Sequence, residues 1–219
     1  MVESPIDRNG AWKDEEKGES IMHLLFVNCC IRGEESRTLR LCRAALEELK
    51  KKYQDLTVEE LCLDEEDLRP LNNARLAARH ALEKERAFSD PMFRYARQFA
   101  AADMVLMGAP YWEFQFPAML RCYLEHISVG DLTFHYTEEG YPVGLGKVQR
   151  LLYVTTAGGP IQGRNCGFDY VKTLCGDMLG VPQMDFAAAE NLDVWGADVE
   201  GILTQAEQAL RQQIRGWQD

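Results

Sequence analysis

Three stretches hold residue types whose spacing could do chemistry. The first runs from Asn28 to Thr38 and ends in Ser36–Arg37–Thr38, two hydroxyls flanking an arginine. It lies between an apolar run and a helical pattern, and a helix amino terminus offers free N–H donors and the positive end of a dipole. A phosphate held there would gain hydroxyl donors from Ser36 and Thr38 and a charge-assisted one from Arg37. The same serine reads equally as a plain N-cap, and Glu34 and Glu35 have to point outward if a phosphate binds. The second stretch, Ala109–Pro117, holds Tyr111, Trp112, Phe114 and Phe116 within six residues. Such a connection suits a planar ligand, or it caps the core or enters a subunit interface through Trp112 and Phe116. The third, Thr155–Pro160, carries paired glycines that let backbone amides approach a ligand, or that mark an ordinary turn.

Strand-like runs precede all three. Leu24–Val27, Met104–Ala109 and Leu151–Thr155 read as strands, with continuous apolar runs over Leu24–Val27, Met104–Met107 and Leu151–Val154, the pattern of strands buried on both faces. Two further strands are expected, an edge-like one within Leu56–Leu63 and a fifth over Gln183–Ala189. Helical spacing links them: Leu39, Cys42, Leu46, Leu49 and Tyr53 form one stripe, and Met119, Leu120, Tyr123, Leu124 and Ile127 another. Residues 73–102 are helix-rich with a start near Ser89–Pro91, Pro117 opens a helix, and helices are expected around Phe168–Leu179 and from Val199 to Trp217. Residues 129–146 read as an irregular, aromatic excursion. The β-α alternation predicts an α/β fold, a doubly wound five-stranded parallel sheet in the order 2-1-3-4-5 with helices on both faces. In that topology a ligand sits beyond the carboxyl ends of the strands, where all three loops would open.

Composition narrows the function. The 219 residues, 46% of them hydrophobic, suit one domain with a substantial core. Twenty-four basic against 35 acidic residues leave a net charge of −11, which repels a phosphate backbone and argues against a nucleic-acid partner. No apolar run reaches the ~20 residues of a membrane span. Residues 1–21 are polar and acidic, lack the pattern of a signal peptide, and are expected to form a poorly packed extension to a domain over 22–219. The seven cysteines are odd in number and include no CxxC pair, so reduced thiols in a cytoplasmic protein are expected, with no metal site. No GxxxxGK[ST] occurs, and Gly144–Leu145–Gly146 precedes a strand where a dinucleotide turn would follow one.

From residue 22 onward the chain resembles the flavodoxin-like FMN-dependent NAD(P)H oxidoreductases, the group of NADH azoreductases and NAD(P)H:quinone reductases. The matching stretches are Ser36–Thr38, APYWEF (109–114), FHYTEEG (134–140) and TTAGG (155–159), in the family's order and at about its spacing. The resemblance implies that Cys30, Ser36, Arg37 and Thr38 hold the FMN phosphate. It places Pro110, Tyr111, Trp112, Glu113 and Phe114 along the isoalloxazine, and Thr156, Ala157, Gly158 and Gly159 at the pyrimidine edge. Tyr136 matches a tyrosine near the substrate pocket, which Phe114 also borders. Family members are usually homodimers with each flavin close to the partner subunit. Cys30 stands where the family often has serine, and Glu113 where it often has asparagine.

The implied activity is two-electron transfer from NADH or NADPH, through FMN, to a quinone, azo compound or similar flat acceptor by a ping-pong scheme. The hard chemistry belongs to the cofactor, so no side-chain acid or base is assigned. Other readings are a flavodoxin-type electron carrier, a redox protein using Cys29–Cys30, and a flavin-free binding or regulatory protein. The long 129–146 excursion favours an enzyme over a carrier, because it can build a substrate pocket.

Overall fold

A computed structural model describes residues 21–218; the extension expected over 1–21 lies, but for Ile21, outside the described residues. Five parallel strands form the main sheet: β1 (His23–Asn28), β2 (Thr57–Cys62), β3 (Met104–Gly108), β6 (Arg150–Thr156) and β7 (Gln183–Ala189), in the order β2-β1-β3-β6-β7. The direction of winding reverses between β1 and β3, whose register pairs Leu24 with Met104 and Asn28 with Gly108. In chain order of the sheet strands this is the expected 2-1-3-4-5 arrangement.

Alternation along the buried strands splits the core in two. Leu25 and Val27, Val105 and Met107, and Leu151 and Tyr153 face one layer. There they meet α3 (Arg94–Ala101) through Phe99, α4 (Ala118–Ile127) through Leu120 and Leu124, and α5 (Cys166–Val171) through Val171. Leu24, Phe26, Leu106, Leu152 and Val154 face the other, against α1 (Arg37–Lys52) and α6 (Val199–Arg215). Two covered faces explain why the central strands are apolar without a break over Leu24–Val27, Met104–Met107 and Leu151–Val154. The helix α2 (Asn73–Lys84) buries none of its residues; Asn72 caps it, accepting from the Arg75 N–H at 2.9 Å, and Arg79 ties it to the Glu125 carbonyl at 3.1 Å and to the Ser128 carbonyl.

Two features correct the expected outline. Residues 129–146 are not irregular throughout: β4 (Phe134–Tyr136) and β5 (Pro142–Gly144) pair antiparallel. The helix after β6 changes character midway, continuing from α5 as a π-helix over Lys172–Met178. The hairpin packs on the end of that π-helix where Gly144 meets Gly180. A Cβ on Gly144 would lie 2.0 Å from the Leu179 carbonyl oxygen.

Candidate functional site

The loops after β1, β3 and β6 meet at the carboxyl edge of the sheet, as the topology requires. They enclose a crevice of about 150 Å³ bordered by Ser36, Arg37, Thr38, Pro110, Tyr111, Trp112, Thr156, Ala157 and Gly158. Ile31, Arg32, Leu192 and Asp193 complete it. The last two were not foreseen and come from a fourth loop, after β7. The available signal was topological: β7 is parallel to its neighbours, so its carboxyl end opens on the same edge.

The β1–α1 loop is tightly built. Gly33 adopts φ +53°, a conformation that disfavours a side chain, and turns the chain so that its N–H reaches the Cys30 carbonyl at 2.9 Å. Ser36 caps α1, accepting from the Leu39 N–H at 3.2 Å. The Arg37 and Thr38 amides precede the first full turn and find no acceptor in the flanking loops of the described residues. The Thr38 side chain, 1% exposed, hydrogen-bonds the Thr156 hydroxyl at 2.6 Å and so ties α1 to the end of β6. Arg37 donates through Nη1 to Asp193 Oδ1 at 2.7 Å and to the Leu192 carbonyl at 3.3 Å.

Cys30 does not join the crevice with its side chain. Its thiol turns inward, 3.8 Å from the Gly108 carbonyl, over a glycine whose missing Cβ leaves room for it and Cys42. Hydrogen bonding from Cys42, then from Ser36, holds the Cys30 thiol below its ordinary value, while burial pushes Cys42 up. Burial likewise raises the Cys29 thiol to about 12, which removes it as a nucleophile or redox partner at neutral pH. The seven cysteines are all free, and Cys166 is the exposed one.

The aromatic loop is a tight turn. Trp112 and Gln115 exchange both backbone hydrogen bonds, at 3.1 and 2.7 Å, and the residues between them, Glu113 and Phe114, have φ of +52° and +68°. Two successive positive φ values describe a type I′-like turn, which glycine or asparagine adopts more easily. Glu113 therefore stands at an exposed tip, and neither it nor Phe114 lines the crevice. Neighbouring chain supports the turn: Tyr111 OH donates to the Arg164 carbonyl at 2.7 Å, and the Gly167 N–H reaches the Phe114 carbonyl at 3.2 Å. Trp112 and Phe114 are 46% and 50% exposed.

The glycine loop is clasped from the β7 side. Leu192 and Asp193 donate to the Ala157 and Gly158 carbonyls at 3.2 and 2.8 Å. A Cβ on Gly158 would lie 2.4 Å from Asp193 Oδ2, so glycine is what lets this loop lie so close. Gly159 is exposed and lies outside the crevice lining.

Tyr136 is not brought to this crevice. Because α4 runs antiparallel to the strands, the hairpin that follows it lies toward their amino ends. There Tyr136 and Phe134 border a separate hollow with His80, Glu83, Lys84, Asp131 and His135. His126 is structural: its Nε2 stands 2.9 Å from the Arg69 carbonyl oxygen and its ring packs edge-on against Tyr95.

Among the described residues no group of His, Cys, Asp and Glu could hold a metal ion, and no helix is long and apolar enough to cross a membrane. A family described by its flavodoxin-like fold matches residues 22–214. An FMN-dependent NADH:quinone oxidoreductase of Clostridium perfringens is 33% identical over 180 residues, covering 81% of this chain and 90% of that one. An enzyme of the same description from Lachnoclostridium phytofermentans is 34% identical over 188 residues, with 84% and 94% covered. The crystal structure of an azoreductase from Bacillus anthracis superposes with a TM-score of 0.78 at 25% identity, covering 90% of this chain and all of that one. Sheet order, crevice and matches agree over nearly the whole length, and the chain belongs to this flavodoxin-like family.

Proposed function

We propose that the protein is an FMN-dependent NADH oxidoreductase that reduces quinones, azo compounds or similar flat acceptors. The observation that carries this reading is the convergence on one crevice of three loops, one suited to a phosphate, one to a planar ring and one to the close approach of backbone to a ligand. The relatives named for FMN-dependent NADH:quinone oxidoreduction cover most of the chain and share its activity class.

When bound, FMN supplies the electron chemistry, taking two electrons from NADH and giving two to the acceptor. This chain's part is to hold and orient. The α1 amino terminus, with its free first-turn amides, Thr38 and Arg37, suits the phosphate. Cys30 contributes backbone only, since its thiol faces Gly108. Pro110, Tyr111 and Trp112 border the side where a ring would lie, and Thr156, Ala157 and Gly158 the side of its polar edge. Glu113 at the turn tip and Phe114 beside it extend that border outward, and Gly159 continues the glycine loop beyond it.

The crevice is open along the aromatic loop, and a ring reaching past Trp112 and Phe114 needs a cover. A second copy of the chain is that cover in our reading. It is supported by exposed apolar side chains at the crevice rim, Trp112, Phe114, Val194 and Trp195, the last fully exposed. Tyr136, 62% exposed and remote from its own crevice, is then placed to border the acceptor pocket of a partner. Sedimentation equilibrium is expected to return the mass of two chains. The free thiols, four of them buried, support a cytoplasmic location.

Steady-state kinetics test the activity. With NADH and a benzoquinone, and no added protein, double-reciprocal plots are expected to be parallel, as a ping-pong scheme requires. Turnover that needs a protein electron acceptor would replace this reading with that of an electron carrier.

A further inference from the structure

The pairing of Arg37 with Asp193 places an internal anion in the crevice. Asp193 Oδ1 accepts from Arg37 Nη1 at 2.7 Å, its backbone N–H donates to the Gly158 carbonyl at 2.8 Å, and its Oδ2 lies over Gly158. The carboxylate thus sits between the first-turn loop of α1 and the glycine loop, and both partners border the crevice. Arg37 has no second carboxylate partner among the described residues, and Leu192 adds a carbonyl at 3.3 Å. Arg32, the other cation of the lining, is 3.7 Å from Glu35. Each cation at the crevice already has an anion.

We propose that Asp193 is an affinity-setting residue that competes with the flavin phosphate for Arg37. Like charges brought into one crevice repel, and a guanidinium already neutralised offers a phosphate less than a free one. The consequence is selective: the carboxylate weakens binding of a flavin bearing a phosphate monoester and leaves its phosphate-free counterpart untouched. The loop that carries Asp193 also carries Val194 and Trp195, 49% and 100% exposed, and occupancy of Arg37 by phosphate would free the Asp193 side chain while the backbone bonds of Leu192 and Asp193 to the glycine loop stay in place. This inference rests on the FMN reading above and adds to it a residue that opposes the cofactor.

The test uses the full chain, freed of flavin, and titrates FMN and riboflavin by quenching of flavin fluorescence. Asp193→Asn keeps an oxygen to accept from Arg37 and removes the charge. The expected result is about a tenfold tighter FMN complex, about 1.4 kcal/mol, with riboflavin affinity unchanged. FMN affinity that stays constant or falls in Asp193→Asn overturns the inference, as does an equal change for both flavins, which would mark a contact to the shared ring or ribityl chain. Wild-type protein that binds neither flavin overturns the FMN reading itself and this inference with it. Because Asp193 is in an exposed loop, Asp193→Ser provides a second uncharged variant, and it is expected to move FMN affinity in the same direction.

Discussion

The hydroxyls of Thr38 and Thr156 stand 2.6 Å apart and join the first turn of α1 to the last residue of β6. These are the two elements whose ends must keep a fixed spacing for one ligand to touch both. Thr38 is buried and Thr156 half-buried, so each hydroxyl depends on the other for its partner. Thr38→Val is expected to destabilise the flavin-free protein by about 1 kcal/mol, and Thr156→Val, which strands the more deeply buried hydroxyl, by about 1–3 kcal/mol. The double variant should cost less than the sum, because the second change removes a group already without a partner. Urea denaturation of the four proteins measures the coupling, and strict additivity would mean that the bond contributes nothing.

The tip of the aromatic turn stores conformational strain. Glu113 at φ +52° occupies a region that costs an ordinary side chain roughly 1–2 kcal/mol. Glu113→Gly is therefore expected to stabilise the protein by about 1 kcal/mol, and Glu113→Asn by about half of that, since asparagine tolerates this conformation better. Denaturant midpoints check the order Gly, then Asn, then Glu.

Much of the scaffold is legible from residue order because it depends on burial. Met104–Met107 and Leu151–Val154 are apolar at every step, the pattern of strands between two helical layers. The strand Gln183–Ala189 has the expected bounds, and Ser36 proves to be a cap, one of its two readings. The hairpin was hidden because its strands span three residues each and one opens with Pro142, too short for alternation to show. The π-helix leaves no mark on composition, since Lys172–Met178 keeps a helical stripe. The direction of the Cys30 thiol was hidden for a subtler reason: loop position predicts which backbone faces a ligand, while the thiol's direction was decided by the space above Gly108. Leu192 and Asp193 lay in a loop without paired glycines, hydroxyls or an aromatic cluster to draw attention.

The hairpin's seat on the π-helix is sterically strict. A methyl on Gly144 would stand 2.0 Å from the Leu179 carbonyl oxygen and 2.7 Å from the Gly180 nitrogen, both backbone atoms that cannot rotate away. Gly144→Ala is expected to cost about 1–3 kcal/mol, the range of overpacked sites. Gly140→Ala serves as a comparison: it has positive φ but no atom within 4 Å of the added methyl, so its cost is backbone strain alone, about 1–2 kcal/mol. A smaller loss at Gly144 than at Gly140 would mean that the hairpin is not held where it is seen.

Acid should loosen the α1–α6 contact at a defined residue. Glu48, 5% exposed, accepts from Arg215 at 2.5 and 3.2 Å, with Lys51 and Arg211 nearby. Hydrogen bonding from Arg215 holds its carboxyl below the ordinary 4.5. A depressed carboxylate contributes stability that is complete above 4.5 and is lost as pH falls through its lowered value. The stability gap between wild type and Glu48→Gln is therefore expected to be full at neutral pH and to close progressively below 4.5. A gap independent of pH would show that packing, and not charge, accounts for it.

The visible spectrum of the full chain incubated with FMN and passed through a desalting column tests the central claim most directly. Flavin absorption retained with the protein, and bleached when NADH is added without oxygen, is the predicted result. Protein that emerges colourless, or whose flavin bands persist unchanged under excess NADH, would contradict it.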